Sequence, residues 1–271
     1  MRWLINVFRR LLGLPKSRKR KRTIVILSTL LLAAPLLAQS DAPIQDNSFL
    51  IEEAYNQEAG VVQHIQTFSR NTRGGDWAYT FTQEWPAPAL RHQLSYTLPV
   101  SQIDRQHGAG DVALNYRYQW IGDGESRLAI APRLTLLLPT GNEHRNLGSG
   151  GTGFQVMLPA STVLNQSFVA HWNLGATVTP SNHAHEITAG QSFVWLANHR
   201  FNVLVETLWN RTSDRAGHAS TTTISPGIRW SYDQPNRLQI VPGIAFPITN
   251  PGAAKSVFLY LSFEHPFRSR S

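Results

Sequence analysis

Apolar and polar residues alternate one by one along two runs in the middle of the chain. In the run 111–120, DVALNYRYQW, one parity holds Val, Leu, Tyr, Tyr and Trp, and the other holds Asp, Ala, Asn, Arg and Gln. The run 128–139, LAIAPRLTLLLP, repeats the pattern less regularly after the turn sequence IGDGES. Because successive side chains of a strand point to opposite faces, each run predicts a strand with one apolar and one polar face. Together they predict an antiparallel hairpin.

The same alternation continues from residue 61 almost to the end of the chain, and no segment shows a sustained helical period. Twelve strands are predicted, over residues 61–69, 76–85, 90–99, 110–120, 127–139, 153–160, 165–179, 185–197, 200–210, 219–232, 237–247 and 255–266. The predicted fold class is therefore all-β.

Alternation fits both a water-soluble sandwich and a membrane barrel, which differ in whether the apolar faces meet as a core or face lipid. Three features favour the barrel. Most predicted strands have about 9–13 residues, near the length that a tilted strand needs to cross a bilayer. Tryptophans lie at strand ends on the apolar parity, as in an aromatic girdle: Trp77, Trp85, Trp120, Trp209 and Trp230. Short connections also alternate with longer ones, as between the periplasmic and external rims of outer-membrane barrels.

Charge changes the picture only at the N terminus. The formal net charge is +8, but nine of the 25 Lys and Arg residues precede residue 23, and no Asp or Glu precedes Asp41. Residues 41–271 hold 16 basic and 17 acidic residues, a net charge of −1. The basic residues are followed by an apolar run, TIVILSTLLLAAPLL, and then by Ala38, Gln39 and Ser40. This order predicts a secretory signal peptide and gives no support for a nucleic-acid partner.

The predicted organisation is a signal peptide over 1–40, a solvated periplasmic N-terminal arm over 41–60, a transmembrane up-and-down barrel over 61–267 and a C-terminal tail over 268–271. The chain has no cysteine, which excludes disulfides and thiolate metal sites. With both termini periplasmic the number of strands must be even, and twelve satisfies this. The expected location is the outer membrane of a Gram-negative bacterium.

Five segments of the mature chain resemble one known family. They are FLIEEAYNQEAGVVQHIQTF (49–68), GAGDVALNYRYQW (108–120), LLLPTGN (136–142), LGSGGTGFQVMLP (147–159) and HWNLGATVTP (171–180). Outer-membrane proteins of the MetA pathway of phenol degradation family carry similar segments. The resemblance implies an outer-membrane β-barrel that passes small molecules, including aromatic ones, and it brings no catalytic residues. The residues after Phe267 depart from the usual barrel ending.

Three motifs suggest other functions, and a simpler interpretation is favoured for each. Gly148, Gly150 and Gly153 spell G-x-G-x-x-G, but a strand follows instead of the helix that a nucleotide site needs, so an external loop is predicted. His183, His185 and Glu186 offer a weak metal site or, more simply, solvated loop residues. His92 interrupts an apolar face and would lie opposite Gln83 if the hairpin were symmetric about residues 86–89. That pair suggests a lipid-hydrolysing site or, more simply, solvation by head groups at the rim.

Eight charged residues lie on the parity predicted to face the lumen: Glu84, Arg91, Asp111, Arg117, Arg133, Glu206, Arg229 and Glu264. Four acids and four bases form either an ion-pair network that plugs the barrel or the charged walls of a narrow pore, and both remain open.

The predicted function is an outer-membrane channel or transporter that passes small solutes, including aromatic or hydrophobic compounds, by passive diffusion. Loops 99–109 and 140–152 are predicted to shape its mouth. The expected partners are outer-membrane lipid, the solutes and the barrel-assembly machinery, without nucleic acid, and no catalytic residue, metal or cofactor is expected. A lipid-modifying enzyme, a non-conducting structural or adhesive barrel and a soluble periplasmic β protein are the alternatives.

Overall fold

The computed structural model describes residue 44 and residues 47–215, 217–234 and 238–266. The predicted signal peptide (1–40) and C-terminal tail (268–271) lie outside these residues. The described strands are β1 (Val61–Asn71), β2 (Trp77–Pro86), β3 (His92–Ile103), β4 (Gln106–Ala109), β5 (Val112–Tyr118), β6 (Leu128–Ile130), β7 (Arg133–Leu138), β8 (Gly153–Asn165), β9 (Phe168–Thr179), β10 (Ala184–Asn198), β11 (Phe201–Asp214), β12 (Gly217–Trp230), β13 (Tyr232–Gln234), β14 (Leu238–Ala245), β15 (Ile248–Asn250) and β16 (Ala254–Pro266).

Two short 3₁₀ helices, Glu143–Arg145 and Pro180–Asn182, lie in connections between strands. In the part of the chain just defined, no helix combines the length and the apolar character needed to span a membrane.

The strands form one antiparallel sheet that closes on itself, because β1 pairs with both β2 and β16. Some wall positions are shared: β4 and β5 both pair with β3, β6 and β7 both pair with β8, and β14 and β15 both pair with β12 and β16. β13 continues the line of β12 beside β14. The sixteen segments of the described residues thus occupy twelve positions in the wall. The predicted twelve-stranded up-and-down barrel is confirmed.

The two faces of the wall differ in polarity as a membrane barrel requires. Leu94, Leu134 and Leu174 are examples of the large apolar side chains that are exposed on the outside. The buried side chains that point inward are largely polar: they include Gln63, Glu84, Gln93, Asn115, Arg117, Ser161, His171, Asn173, Ser192, Asn202, Glu206 and Arg229. A water-soluble sandwich would bury the leucines and expose the polar face, so the alternation belongs to a barrel in lipid.

The barrel has two different rims. The terminal rim holds the start of β1 and the end of β16, and the loop rim at the opposite end carries the turn 72–76 and the loop 139–152. The predicted loop 99–109 is wrong: β3 and β4 pair up to Ile103 and Gln106, so this stretch is a hairpin that ends in the tight turn Asp104-Arg105. Both turn residues have positive φ (50° and 67°), as a two-residue hairpin turn with the twist of its strands requires.

The predicted symmetric turn at 86–89 is also wrong. Gln83 pairs with Tyr96 and Trp85 with Leu94, so the connection is residues 87–91 and the register moves by four residues. Ala87 N–H donates to the His92 carbonyl (3.0 Å), and His92 N–H donates to the Ala89 carbonyl (2.8 Å). These two bonds close the longer turn, and as a result Gln83 and His92 do not face each other.

Candidate functional site

Residues 47–57, which we call the lumen segment, lie inside the barrel. Asn56 at one end reaches the Leu90 carbonyl in the terminal-rim turn (3.3 Å), while the middle reaches Glu206 in the wall. Phe49, Ile51 and Ala54 are buried. The predicted solvated arm is therefore wrong for these residues, because the polar inner wall supplies partners that the isolated sequence does not reveal.

Side chains of the wall satisfy the main chain of the lumen segment. Glu206 Oε1 accepts the N–H groups of Leu50 (2.9 Å) and Ile51 (3.1 Å). Asn173 binds both main-chain groups of one residue: its Oδ1 accepts Glu52 N–H (2.8 Å) and its Nδ2 donates to the Glu52 carbonyl (2.9 Å). Because unpaired buried peptide groups are costly, these bonds fix the path of a segment that has no neighbouring strand.

Further along the lumen segment the pattern continues. Ser161 Oγ accepts Ala54 N–H (2.8 Å), Gln119 Oε1 accepts Asn56 N–H (3.0 Å), and Gln93 Oε1 accepts Gln57 N–H (2.8 Å). Gln119 Nε2 also donates to the Ala54 carbonyl (2.8 Å). These partners lie on or beside β3, β5 and β8, whereas Glu206 and Asn173 lie on β11 and β9. The segment is thus anchored around much of the circumference.

Three arginines of the wall bind the lumen segment, through ion pairs with its carboxylates and hydrogen bonds to its carbonyls. Arg133 forms an ion pair with Glu52. Arg229 Nη2 lies 3.1 Å from Glu53 Oε1, and Arg229 Nη1 donates to the Asn47 carbonyl (2.9 Å). Arg117 donates to the carbonyls of Glu53 (3.2 Å) and Tyr55. Buried charges persist in proteins when they are paired and hydrogen-bonded, and the buried pair of Glu53 and Arg229 meets this condition.

Phe49 anchors the segment by packing. Its ring centroid lies 5.6 Å from that of Phe258 and 5.4 Å from that of Tyr260. A Cβ at Gly227 would lie 2.6 Å from Phe49 Cε2, and a Cβ at Gly243 would collide with the same ring. The two glycines of β12 and β14 therefore make the space that the aromatic ring fills.

Ser161, His171 and Glu53 have the residue types of a hydrolytic triad, but their arrangement serves anchoring. Ser161 Oγ lies 2.7 Å from His171 Nδ1, and His171 Nε2 lies 3.5 Å from Glu53 Oε1. Ser161 is 0% exposed, and its oxygen already accepts Ala54 N–H. A nucleophile must be accessible to its substrate, and the buried Ser161 is not. The contacts of these residues join the segment to the wall.

Tyr55 completes this cluster. Burial and the neighbouring Glu53 carboxylate raise the pKa of Tyr55 from 10.0 to about 12, against a hydrogen bond with Ser161 that lowers it. The phenol therefore stays neutral over the physiological range.

The structure places the eight sequence-predicted lumen residues in different environments. Arg117, Glu206 and Arg229 are buried, and all three contact the lumen segment. Arg133 joins them through Glu52. Glu84 is buried and accepts a hydrogen bond from Gln93 Nε2 (2.6 Å).

The remaining three predicted residues lie at different places in the barrel. Glu264 pairs in register with Gln63 and Gln239 on the inner face. Asp111 accepts the N–H groups of Gly141 (2.9 Å) and Ser149 (2.7 Å), which ties down the loop 139–152. The lumen assignment is wrong for Arg91, which is exposed in the turn 87–91 with its guanidinium 5.9 Å from the outward Tyr118 ring.

The other sequence motifs lie near the loop rim or on the outer face. His183 lies at the end of a 3₁₀ helix, His185 is exposed, and Glu186 accepts a hydrogen bond from Thr188 (3.1 Å). Across the described ranges, no group of three or more His, Asp or Glu residues could hold a metal ion. His92 Nδ1 lies 2.6 Å from the Tyr116 hydroxyl on the outer face.

Sequence reasoning missed the residues that matter most in the lumen. The sequence predicts a solvated arm for Glu52 and Glu53, and its charge pattern does not indicate the uncharged partners Gln93, Gln119 and Asn173. One signal was available: these three are polar residues on the inward parity, and an inward amide needs a hydrogen-bond partner in a narrow barrel.

Cavities remain on both sides of the lumen segment. The rim cavity, of about 230 Å³, is lined by Glu53, Tyr55, Val163, Val169 and Leu196 near the terminal rim. The central cavity, of about 270 Å³, lies on the other side and is lined by Phe49, Thr67, Thr82, Thr97 and Arg117.

A third space, the vestibule of about 460 Å³, lies closer to the loop rim and is lined by residues that include Ser69, Thr80 and Leu147. The lumen segment thus separates a space open to the loop rim from one at the terminal rim.

A closed twelve-stranded barrel with an apolar exterior and a polar, occupied lumen defines an outer-membrane β-barrel of porin-like architecture. Residues 40–263 match the model of the family described as "Putative MetA-pathway of phenol degradation", and the chain belongs to that family.

The chain is similar to solved outer-membrane porins. A NanC porin is similar over 76% of this chain and 100% of its own, at 9% identity and a TM-score of 0.54, which shows the fold. A KdgM porin in complex with disordered oligogalacturonate is similar over 77% of this chain and 99% of its own, at 6% identity and a TM-score of 0.44. No curated protein matches the chain.

Proposed function

We propose that the protein is a channel for small solutes in the outer membrane of a Gram-negative bacterium, and that the lumen segment closes it. The observation that carries the proposal is the position of residues 47–57 between two cavities, of which one lies near the terminal rim and the other on the side of the loop rim. The porin fold of the NanC neighbour supports a channel. Movement of the segment towards the terminal rim, where the chain continues into β1, would join the two cavities into one passage.

The size and lining of the central cavity indicate the solute. At about 270 Å³ it exceeds the ~150 Å³ cavity that holds benzene, so a single-ring molecule fits. Thr67, Thr82 and Thr97 offer hydroxyl groups, and Phe49 and Tyr260 offer ring faces. Solutes of this kind, which combine one ring with polar substituents, agree with the family's description. Passage is passive in this proposal, since diffusion down a gradient needs only an open path.

A disulfide between the segment and the wall tests the proposal. Ser48 Oγ lies 3.0 Å from Ser192 Oγ, so Ser48→Cys/Ser192→Cys places two thiols within bonding reach. The chain has no other cysteine, and the single variants are matched controls. Single-channel currents are recorded in planar bilayers under oxidising and then reducing conditions.

We expect the oxidised double variant to stay closed. The reduced double variant and both single variants should show discrete openings. Openings through the oxidised double variant of the same size as those of the wild-type protein contradict the gating role of the segment. If the wild-type barrel never conducts in either condition, the protein is a structural barrel and the channel proposal fails.

A further inference from the structure

A polar patch interrupts the apolar outer surface on β1, β2 and β3. Gln66 pairs in register with Leu261 and Phe81, and Gln83 pairs with His64 and Tyr96. Directly paired residues share a face of the sheet, and Leu261 is exposed on the outside. The two glutamines therefore point towards lipid.

The partners of this patch satisfy only part of its hydrogen-bonding capacity. Tyr79 Oη donates to Gln66 Oε1 (3.1 Å), and Tyr96 Oη donates to Gln83 Oε1 (2.7 Å). Among the residues that the structure describes, the two carboxamide nitrogens Nε2 have no hydrogen-bond partner. Each carries two N–H donors, and hydrocarbon offers them no acceptor, so leaving them bare is unfavourable.

The depth of Gln66 excludes water and lipid head groups as its routine partners. Gln66 lies at the middle of β1 (Val61–Asn71), away from both of its ends. Gln83 lies nearer the terminal rim, on the inner side of Trp85 in β2 (Trp77–Pro86). Phospholipid acyl chains are the neighbours expected at this depth, which leaves a protein surface as the source of acceptors.

We propose that this face binds a second copy of the chain across a twofold axis. The patch is self-complementary, since it combines four free amide N–H donors with acceptor lone pairs on the two tyrosine oxygens and the two glutamine oxygens. The patch carries no formal charge when its histidine is neutral, so two copies meet without repulsion between like charges. A twofold interface uses the same patch on both subunits, as this distribution of donors and acceptors requires.

Aromatic rings supply the packing around the polar centre. His64 stacks on Phe263 with ring centroids 4.6 Å apart, and it lies 5.9 Å from Phe81. Tyr96 lies edge-on to Trp85 at 6.1 Å. Rings of this kind are enriched in protein interfaces, where they contribute large contact areas at a small entropic cost. The proposal concerns assembly in the membrane and holds whether or not the barrel conducts.

The chain provides a matched control on the far side of the barrel. Gln191 on β10 also faces outward, since it pairs with the exposed Trp172. We compare Gln66→Leu/Gln83→Leu with Gln191→Leu in lipid vesicles. A dye is attached to Cys in a Gly74→Cys background, since Gly74 lies in the turn 72–76 and a Cβ there meets only Asp76 Oδ2, at 3.8 Å. Energy transfer between donor- and acceptor-labelled copies is followed while lipid dilutes the protein.

The expected result is transfer that falls on dilution, with a dimer dissociation constant about tenfold or more weaker for Gln66→Leu/Gln83→Leu and unchanged for Gln191→Leu. Heat-modifiable gel migration of every variant shows that the barrel is folded. In a second experiment, Gln66→Cys without the dye site is expected to form interchain disulfides in the membrane, and Gln191→Cys is not.

The proposal is overturned if the wild-type protein shows no energy transfer at any protein-to-lipid ratio. A monomer that retains a tightly bound lipid on this face gives that result. Equal weakening by Gln191→Leu also overturns it, because the effect then belongs to any outward glutamine and not to this face.

Discussion

Glu53 and Arg229 form an ion pair inside the barrel, with 3.1 Å between Glu53 Oε1 and Arg229 Nη2 and with side chains only 5% and 1% exposed. One residue comes from the lumen segment and the other from β12, so the pair joins the segment to the wall. Removing Arg229 leaves a buried carboxylate without its cation. We expect Arg229→Leu to lower the free energy of unfolding by about 3–5 kcal/mol.

Urea unfolding in lipid vesicles, followed by tryptophan fluorescence, measures this loss. The double variant Glu53→Gln/Arg229→Leu should recover part of it, because the uncompensated charge is gone. Arg73→Leu, in the exposed turn 72–76, is the control and should change the value little. An Arg229→Leu variant as stable as this control would show that the pair does not hold the segment.

Glu206 is expected to control the order of the lumen segment. Glu206→Leu removes the acceptor of two N–H groups, those of Leu50 and Ile51, and each unpaired N–H costs about 1–3 kcal/mol. Amide hydrogen exchange of these two residues should accelerate in Glu206→Leu. Glu206→Gln keeps one acceptor oxygen and should show an intermediate rate; equal rates in both variants and the wild-type protein would contradict the role of Glu206.

Gly227 is expected to tolerate no side chain while Phe49 stays in place. A Cβ there lies 2.6 Å from Phe49 Cε2, and overpacking of this kind costs about 1–3 kcal/mol. Gly227→Ala should lower the unfolding midpoint in urea, whereas Gly74→Ala, where the nearest atom is 3.8 Å away, should not. Combining Gly227→Ala with Phe49→Ala should recover only the part of the loss that the ring causes, because a Cβ at Gly227 would also lie 2.9 Å from the Ala245 Cβ and 3.0 Å from the Ile244 carbonyl oxygen. Losses of the two single variants that simply add in the double variant would argue against packing of Phe49 on Gly227.

Tyr55 predicts a dependence of stability on alkaline pH. Its pKa is raised from 10.0 to about 12 in the folded protein, so its contribution to stability is fully present below pH 10 and is lost as the pH rises from 10 to 12. The difference in absorbance at 295 nm between wild-type protein and Tyr55→Phe should titrate near pH 12. A difference that titrates near pH 10 would show that this phenol is not buried beside Glu53.

Asp111 is expected to protect the loop 139–152 from protease. Its carboxylate accepts bonds from Gly141 N–H, Ser149 N–H and Ser149 Oγ, and Arg145 is exposed in the same loop. Asp111→Ala should therefore speed tryptic cleavage after Arg145. Cleavage after Arg105, in the separate hairpin turn, is the internal control and should keep its rate; acceleration at both sites would indicate general loosening of the loop rim.

Alternation in the sequence was sufficient to determine the wall of the barrel. Each strand presents its apolar parity to lipid and its polar parity to the lumen, and this requirement acts on neighbouring residues, so it can be recognised locally. It predicted the twelve wall positions and the inward direction of Arg117, Glu206 and Arg229. The positions of the turns were harder to predict from the sequence. Residues 99–109 contain polar residues typical of a loop, yet they pair as a hairpin because two residues at positive φ suffice to close it.

The contents of the lumen were decided only by the tertiary structure. Residues 47–57 have no periodicity, because no neighbouring strand alternates their environment. Their positions depend on wall residues far away in the chain, such as Asn173 for Glu52 and Arg229 for Glu53. These contacts form only once the barrel has closed and brought β5, β9, β11 and β12 around one axis, so the sequence could show the charges of the wall but not the segment that neutralises them.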